Sequence, residues 1–117
     1  MNSDTITQIN NYMKKFPWMD FEMCRFGGDN LQLFGCIDEL GRDKVIIEFD
    51  MPYMVCSTLS FTYEGDGEFI SIVDGEKAYS INTSYGITQG NTLYEIRGTN
   101  IPHSMFIAAN NVSFTVC

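Results

Sequence analysis

Apolar and polar positions along the chain follow two periods. Ile6, Ile9, Met13 and Phe16 recur at three- and four-residue spacing and make one apolar stripe, which predicts a helix over residues 5–16. Thr5-Ile6-Thr7-Gln8 has the form of a capping box, in which side chains satisfy the free amides of a first turn. Lys14 and Lys15 suit the negative end of the helix dipole, and Pro17 discourages continuation. So narrow a stripe fits a helix lying on a sheet, with Trp18 at its exit.

From Phe21 onward the period is two. Residues 23–26 and 31–36 flank Gly27-Gly28-Asp29-Asn30, which reads as a hairpin turn. Further strands are expected at 45–49 and 58–63, the latter with Leu59, Phe61 and Tyr63 on one face. Others follow at 69–73, 78–81 and 93–96. Residues 105–109 and 112–116 read as a last pair, joined by Asn110-Asn111, which tolerate positive φ. Pro52 fits a strand start or an edge. The pattern describes an α+β chain that is mostly β: one N-terminal helix, then an antiparallel sheet of about eight to ten short strands over residues 21–117, curled as a barrel or a two-layer sandwich. The helix covers one face or plugs one end. A length of 117 residues allows a single domain, 1–117, with one core.

Composition changes this picture in one respect. The formal net charge is −8, from 15 acidic and 7 basic residues, and no Lys or Arg lies beyond Arg97. Phosphate backbones and anionic membranes would be repelled, whereas a cationic protein would be drawn in. No apolar run approaches the roughly 20 residues that span a bilayer. Met1-Asn2-Ser3-Asp4 opens without a basic region or a following apolar stretch, so no secretory signal is expected and the chain reads as cytoplasmic. There Asn82-Thr83-Ser84 and Asn111-Val112-Ser113 meet no glycosylation machinery. Cys24, Cys36, Cys56 and Cys117 form no Cys-x-x-Cys pair; the first three sit among apolar residues and read as small core side chains, without disulfides.

The most motif-like stretch, residues 61–79, packs five carboxylates and three glycines between apolar runs. A helix-loop-helix calcium site needs glycine at its sixth position and glutamate at its twelfth. Counted from Glu64, those positions hold Phe69 and Gly75, so the pattern fails. Phosphate and dinucleotide loops fail as well, for lack of Gly-Lys-Ser/Thr or Gly-x-Gly-x-x-Gly. Glu64-Gly65-Asp66-Gly67 and Asp74-Gly75 therefore read as two hairpin turns. Structural zinc needs four ligands in paired spacings, and one histidine with dispersed cysteines supplies none; no metal or other cofactor is expected. The i,i+2 carboxylate sets Asp20/Glu22, Glu48/Asp50, Glu64/Asp66/Glu68 and Asp74/Glu76 mark solvent faces on strands. Paired carboxylates for glycoside hydrolysis depend on the fold, and spacing does not supply them.

Two other chemistries remain in view. His103 with a cysteine and Asn100 would be the nucleophilic set of a small hydrolase, but no cysteine stands in a nucleophile context. Tyr53, Tyr63, Tyr79, Tyr85, Tyr94, Phe69 and Phe106 either line the cavity of a small-molecule-binding β-barrel or form an ordinary core. The mixture in Tyr53-Met54-Val55-Cys56, beside Pro52, is one enriched at protein contacts.

A small, acidic, β-rich chain with no catalytic set, its Asp/Glu excess at residues 20–50 and 64–76, resembles the immunity proteins that bacteria make against polymorphic or contact-dependent toxins. The resemblance is one of class and implies a non-enzymatic cytoplasmic protein that binds one cognate toxin, often a basic nuclease, and masks its active site or substrate groove. An acidic surface would occupy a groove built for phosphates and gain steering from it. The carboxylates expected to serve are Glu64, Asp66, Glu68, Asp74 and Glu76, followed by Asp38, Glu39 and Asp43, with neighbouring aromatics as buried anchors.

Overall fold

The computed structural model describes residues 2–16, 18–25, 29–37, 44–65, 67–101 and 103–116. Its first element is α1 (Asn2–Met13), followed by β1 (Met19–Arg25), β2 (Asn30–Cys36), β3 (Val45–Asp50), β4 (Met54–Cys56), β5 (Ser60–Tyr63) and β6 (Ile70–Ile72). A second helix, α2 (Gly75–Tyr85), precedes β7 (Thr92–Ile96), β8 (Met105–Ala109) and β9 (Asn111–Val116). The fold is α+β and mostly sheet, with every strand pairing antiparallel. Sheet A runs β5-β1-β2-β3-β9 and sheet B runs β4-β8-β7-β6. Neither sheet closes on itself, and the arrangement is sandwich-like rather than a barrel.

Two long strands turn the corner between the sheets. β3 pairs with β9 in sheet A, and their continuations β4 and β8 pair in sheet B. Three residues separate Asp50 from Met54, but only two separate their partners Asn111 and Ala108. The extra residue is a bulge, which bends a strand and raises its twist. Met51 takes the left-handed φ of 51° that the bend requires. The Asn110 N–H donates to Asp50 O at 2.9 Å, and the Tyr53 N–H to Ala108 O at 2.7 Å, so the ladder survives the bend. The expected last pair is corrected accordingly. β8 and β9 meet at Asn110 without pairing, and Met51, not an asparagine, takes positive φ.

Alternation decides which side chains enter the core. Met19, Phe21 and Met23 of β1, Leu31 and Leu33 of β2, and Val45, Ile47 and Phe49 of β3 point inward from sheet A. They meet Ile70, Tyr94, Ile96, Met105, Ile107 and Ala109 of sheet B in one continuous cluster. Phe21 stacks on Phe61 and Phe69 at 5.4 and 4.7 Å. Gly35 makes room for that ring, since a Cβ there would lie 2.6 Å from Phe21 Cε1.

α1 closes the gap between β9 and β6. It buries Ile6, Ile9 and Met13 in the same cluster and sets the Tyr12 ring edge-on to Phe114 at 5.5 Å. Burying Ile9 and Met13 completely contributes about 1.5–3 kcal/mol each. The Asn10 amide behaves as a piece of missing strand: Oδ1 accepts from the N–H groups of Phe69 and Ile70, and Nδ2 donates to Ile70 O. The helix starts three residues before the expected cap, so Thr5 lies inside it and the capping box is not used.

The larger correction concerns residues 74–85. The expected turn at Asp74-Gly75 and strand at 78–81 are replaced by α2. Asp74 is its extended N-cap residue, and Gly86, at φ 62°, ends it in the left-handed conformation that a residue without Cβ adopts cheaply. The other expected hairpin turn carries the chain from β5 in sheet A to β6 in sheet B, so it joins two sheets. Leu59 points outward at 67% exposure, unlike Phe61 and Tyr63. Cys36 is half-buried on an outer face and Cys56 is exposed; both are free thiols and neither is a core side chain.

Candidate protein-binding face

The two outer faces of the sandwich differ. Outside sheet B, α2 lies over Leu93 and Ala108 with Ala78 against them, and Met54, Ile81, Ile87 and Phe106 fill the margin. Outside sheet A, no described element lies on the strands. The residues there are those the alternation turns away from the core: Asp20 and Glu22 on β1, Phe34 and Cys36 on β2, Ile46, Glu48 and Asp50 on β3, and Thr62 on β5.

Register fixes their arrangement. Glu22, Phe34, Ile46 and Thr115 are successive cross-strand partners and form one row across the sheet. Gln32, Glu48 and Ser113 form the next row, and Asn30, Asp50 and Asn111 the one beyond. Asp20 stands beside Cys36 and Thr62 on the other side. A half-buried apolar pair, Phe34 and Ile46, thus shares its face with four carboxylates, Asp20 and Glu22 on the neighbouring β1 and Glu48 and Asp50 farther along β3 itself. Asp20 and Glu48 each accept a hydrogen bond from a neighbour. Thr62 Oγ1 donates to Asp20 Oδ1 at 2.6 Å, and Asn30 Nδ2 donates to Glu48 Oε2 at 2.8 Å. The ammonium of Lys44 lies 5.6 Å from the centre of the Phe34 ring, so this ring already receives a cation on its face.

At the β5 end the face runs into a groove of about 390 Å³ lined by Asp20, Glu22, Phe34, Cys36, Thr62 and Asn100 among others. Its rim is set by the β7–β8 connection, which bonds along the free edge of β5. The Thr99 N–H donates to Thr62 O, the Thr62 N–H to Asn100 Oδ1, and the Glu64 N–H to Thr99 Oγ1.

The described carboxylates expected from sequence to form the site are divided between the two ends of β6. Glu64 is exposed at the end of β5 and Glu68 just before β6, while Asp74 and Glu76 are exposed beyond the end of β6. The three-residue strand β6 separates Glu68 from Asp74, and six residues of chain span at most roughly 20 Å. Asp74 and Glu76 have a local role, since acidic groups at a helix N-terminus complement its dipole. Asp66, Asp38, Glu39 and Asp43 lie outside the described residues. The sequence does mark Asp20, Glu22, Glu48 and Asp50 as solvent-facing pairs. What it leaves unused is the signal of Phe34 and Ile46, apolar residues out of phase with their strands.

The remaining candidates are scattered. His103 is exposed beside a groove of about 270 Å³ shared with Tyr63, Arg97, Thr99 and Ser104. Asn100 is engaged by β5. Among the described residues, neither Cys36 nor Cys56 is bonded to His103, and no three His, Cys, Asp or Glu side chains gather closely enough to hold a metal ion. Tyr63, Tyr94 and Phe69 belong to the core, whereas Tyr53, Tyr79 and Tyr85 are exposed.

The one buried charge among the described residues, Glu95 on β7, faces α2. It accepts from Lys77 Nζ of α2 at 2.9 Å and from the Ser104 hydroxyl, with Arg97 Nη2 at 3.6 Å. Burial pushes its pKa up, but the Ser104 and Lys77 hydrogen bonds and the two cations outweigh burial and hold it below the ordinary value of 4.5. Glu95 thus pins α2 to sheet B. Among the described residues, no helix is long and apolar enough to cross a membrane. In comparisons with known protein families, curated proteins and solved structures, the chain matches none.

Proposed function

We propose that the chain is a binding protein that presents the outer face of sheet A to a cationic protein, and that it neutralises a toxin in the cytoplasm by masking a basic active site or substrate groove. The observation that carries this reading is the contrast between the two outer faces. One is covered by α2, and the other leaves Phe34 and Ile46 half-buried among Asp20, Glu22, Glu48 and Asp50. Interfaces combine apolar anchors at the centre with a polar rim that excludes water, and this face has both parts. The carboxylates supply steering toward a positive partner and repel nucleic acid and acidic proteins. Lys44 on the Phe34 ring occupies the place where a partner's guanidinium or ammonium would sit.

The test is capture from the native cell on immobilised protein, followed by affinity measurement with the purified partner. The partner is expected to be basic and to associate more slowly as salt rises. Reversing Glu22 and Glu48 to lysine is expected to weaken the complex by roughly 100-fold or more, and Lys44→Ser to tighten it by a few-fold. Reversing Asp74 and Glu76 is expected to leave affinity within about three-fold, since these residues stand on α2. A partner that is itself acidic, or one indifferent to the Glu22 and Glu48 reversals, overturns the assignment.

A further inference from the structure

Charge is unevenly distributed along this acidic chain. Residues 51–63 and 78–94 contain no Asp, Glu, Lys or Arg. The fold brings parts of both stretches to one corner of sheet B. Tyr53 Oη donates to Gly86 O at 2.6 Å, which ties the chain before β4 to the end of α2. The corner carries large apolar side chains in solvent: Met51 at 54%, Tyr53 at 48% and Tyr85 at 54% exposure, beside half-buried Met54, Ile81 and Ile87. Among the described residues, five of the eight exposed large apolar ones, Met51, Tyr53, Leu59, Tyr79 and Tyr85, come from these two stretches. Tyrosine and methionine are the residue types that interfaces favour over the rest of the surface.

The same corner holds a strand edge that the chain does not cover. The edge of β5 is bonded by Thr99 and Asn100, that of β6 by Asn10, and β9 is flanked by α1. β4 ends sheet B, and no described residue outside β8 bonds its backbone. Ala108 turns its carbonyl toward β4, so Met54–Ala108 and Cys56–Phe106 are the bonded pairs and the N–H and C=O of Val55 point to the open side. Such an edge is a template for another strand.

We infer that this neutral corner takes a second copy of the chain, packed about a two-fold axis through β4 and the C-terminal end of α2. The argument for a copy over a different protein is electrostatic. Any pairing through the acidic face would oppose carboxylates on two molecules that each carry −8, whereas here two surfaces drawn mainly from the charge-free stretches meet. The pairing leaves both sheet A faces free.

Sedimentation velocity under reducing conditions, from micromolar to near-millimolar protein, tests the inference. The expected result is a species of twice the 13.3 kDa chain mass, unchanged or strengthened by added salt because screening relieves the residual repulsion. Tyr85→Lys and Cys56→Lys, made separately and checked for native circular dichroism, are each expected to raise the dissociation constant at least ten-fold. Glu22→Lys is expected to leave it unchanged. Monomer at every concentration overturns the inference, as does a dimer that salt dissociates, one lost on reduction, or one that both lysine variants leave intact.

Discussion

The outer faces of sheets A and B are built by the same alternation and used in opposite ways. On sheet B the outward positions Leu93 and Ala108 are buried because α2 lies on them. On sheet A the outward positions Phe34 and Ile46 have no covering element among the described residues, and carboxylates share their face. Charge divides along the same line. Asp20, Glu22, Glu48 and Asp50 stand on sheet A, while Glu95 is the one acidic residue on the strands of sheet B, and it is neutralised by Lys77 and Arg97. The covered face holds one acidic charge, matched by two cations, whereas the bare face holds four carboxylates in reach of water. The difference teaches that outward apolar residues have to be read with what covers them.

The largest effect that would break this comparison is a charge on the covered face. Leu93→Asp buries a carboxylate beneath α2 and is expected to cost about 3–4 kcal/mol. The matching change on the bare face, Ile46→Asp, is expected to cost about 1 kcal/mol or less, because its carboxylate reaches water. Urea unfolding of the two variants side by side measures the contrast. Equal costs would mean that sheet A is also covered in solution.

Part of that contrast is legible in the sequence. The alternation of Val45, Ile47 and Phe49 with Ile46, Glu48 and Asp50 gives both the strand and its solvent face. α1 is legible from Ile6, Ile9 and Met13, although its start is not, because Thr5 imitates a cap from inside the helix. α2 is hidden for a physical reason. Tyr79 and Ile81 alternate like a strand, and Asn82, Thr83 and Ser84 are poor helix formers. Docking of Ala78 and Ile81 on sheet B, together with the Gly86 stop, outweighs that local preference. The site follows from pairing rather than from sequence neighbours. Glu22, Phe34 and Ile46 share a row because β1, β2 and β3 are in register, and no short stretch of sequence holds them together.

A smaller effect sharpens the comparison through pH. Glu95 has a folded pKa below its unfolded value near 4.5, so ionised Glu95 adds stability above that value, and the contribution is lost as pH falls through the folded one. Lys77 and Arg97 are largely solvated, which limits the contribution to about 1 kcal/mol. Glu95→Gln is therefore expected to lower stability at neutral pH by about that amount and to flatten the acid limb below pH 4.5. Stability curves of the two proteins that stay parallel down to pH 3 would show that Glu95 does not pin α2.

The smallest expected change is the most informative for function. Replacing Glu22 and Glu48 together by lysine removes two negative charges from a face that already carries too many. Glu48 gives up one hydrogen bond from Asn30, a loss of about 1 kcal/mol at most, and Glu22 is exposed, where surface interactions contribute only a few tenths of a kcal/mol. Relief of repulsion among the four carboxylates offsets part of that loss, so the net change is expected to fall within about 0.5 kcal/mol of zero and to shrink further as salt is added. Surface hydrogen bonds such as those from Thr62 to Asp20 and from Asn30 to Glu48 add little to stability, so stability alone gives little reason to gather four carboxylates on the face of Phe34 and Ile46. A strongly destabilised double variant would give these charges a structural role and remove the reason for assigning them to a partner. An unchanged melting curve beside a large loss of binding would separate the face that builds the molecule from the face it keeps free.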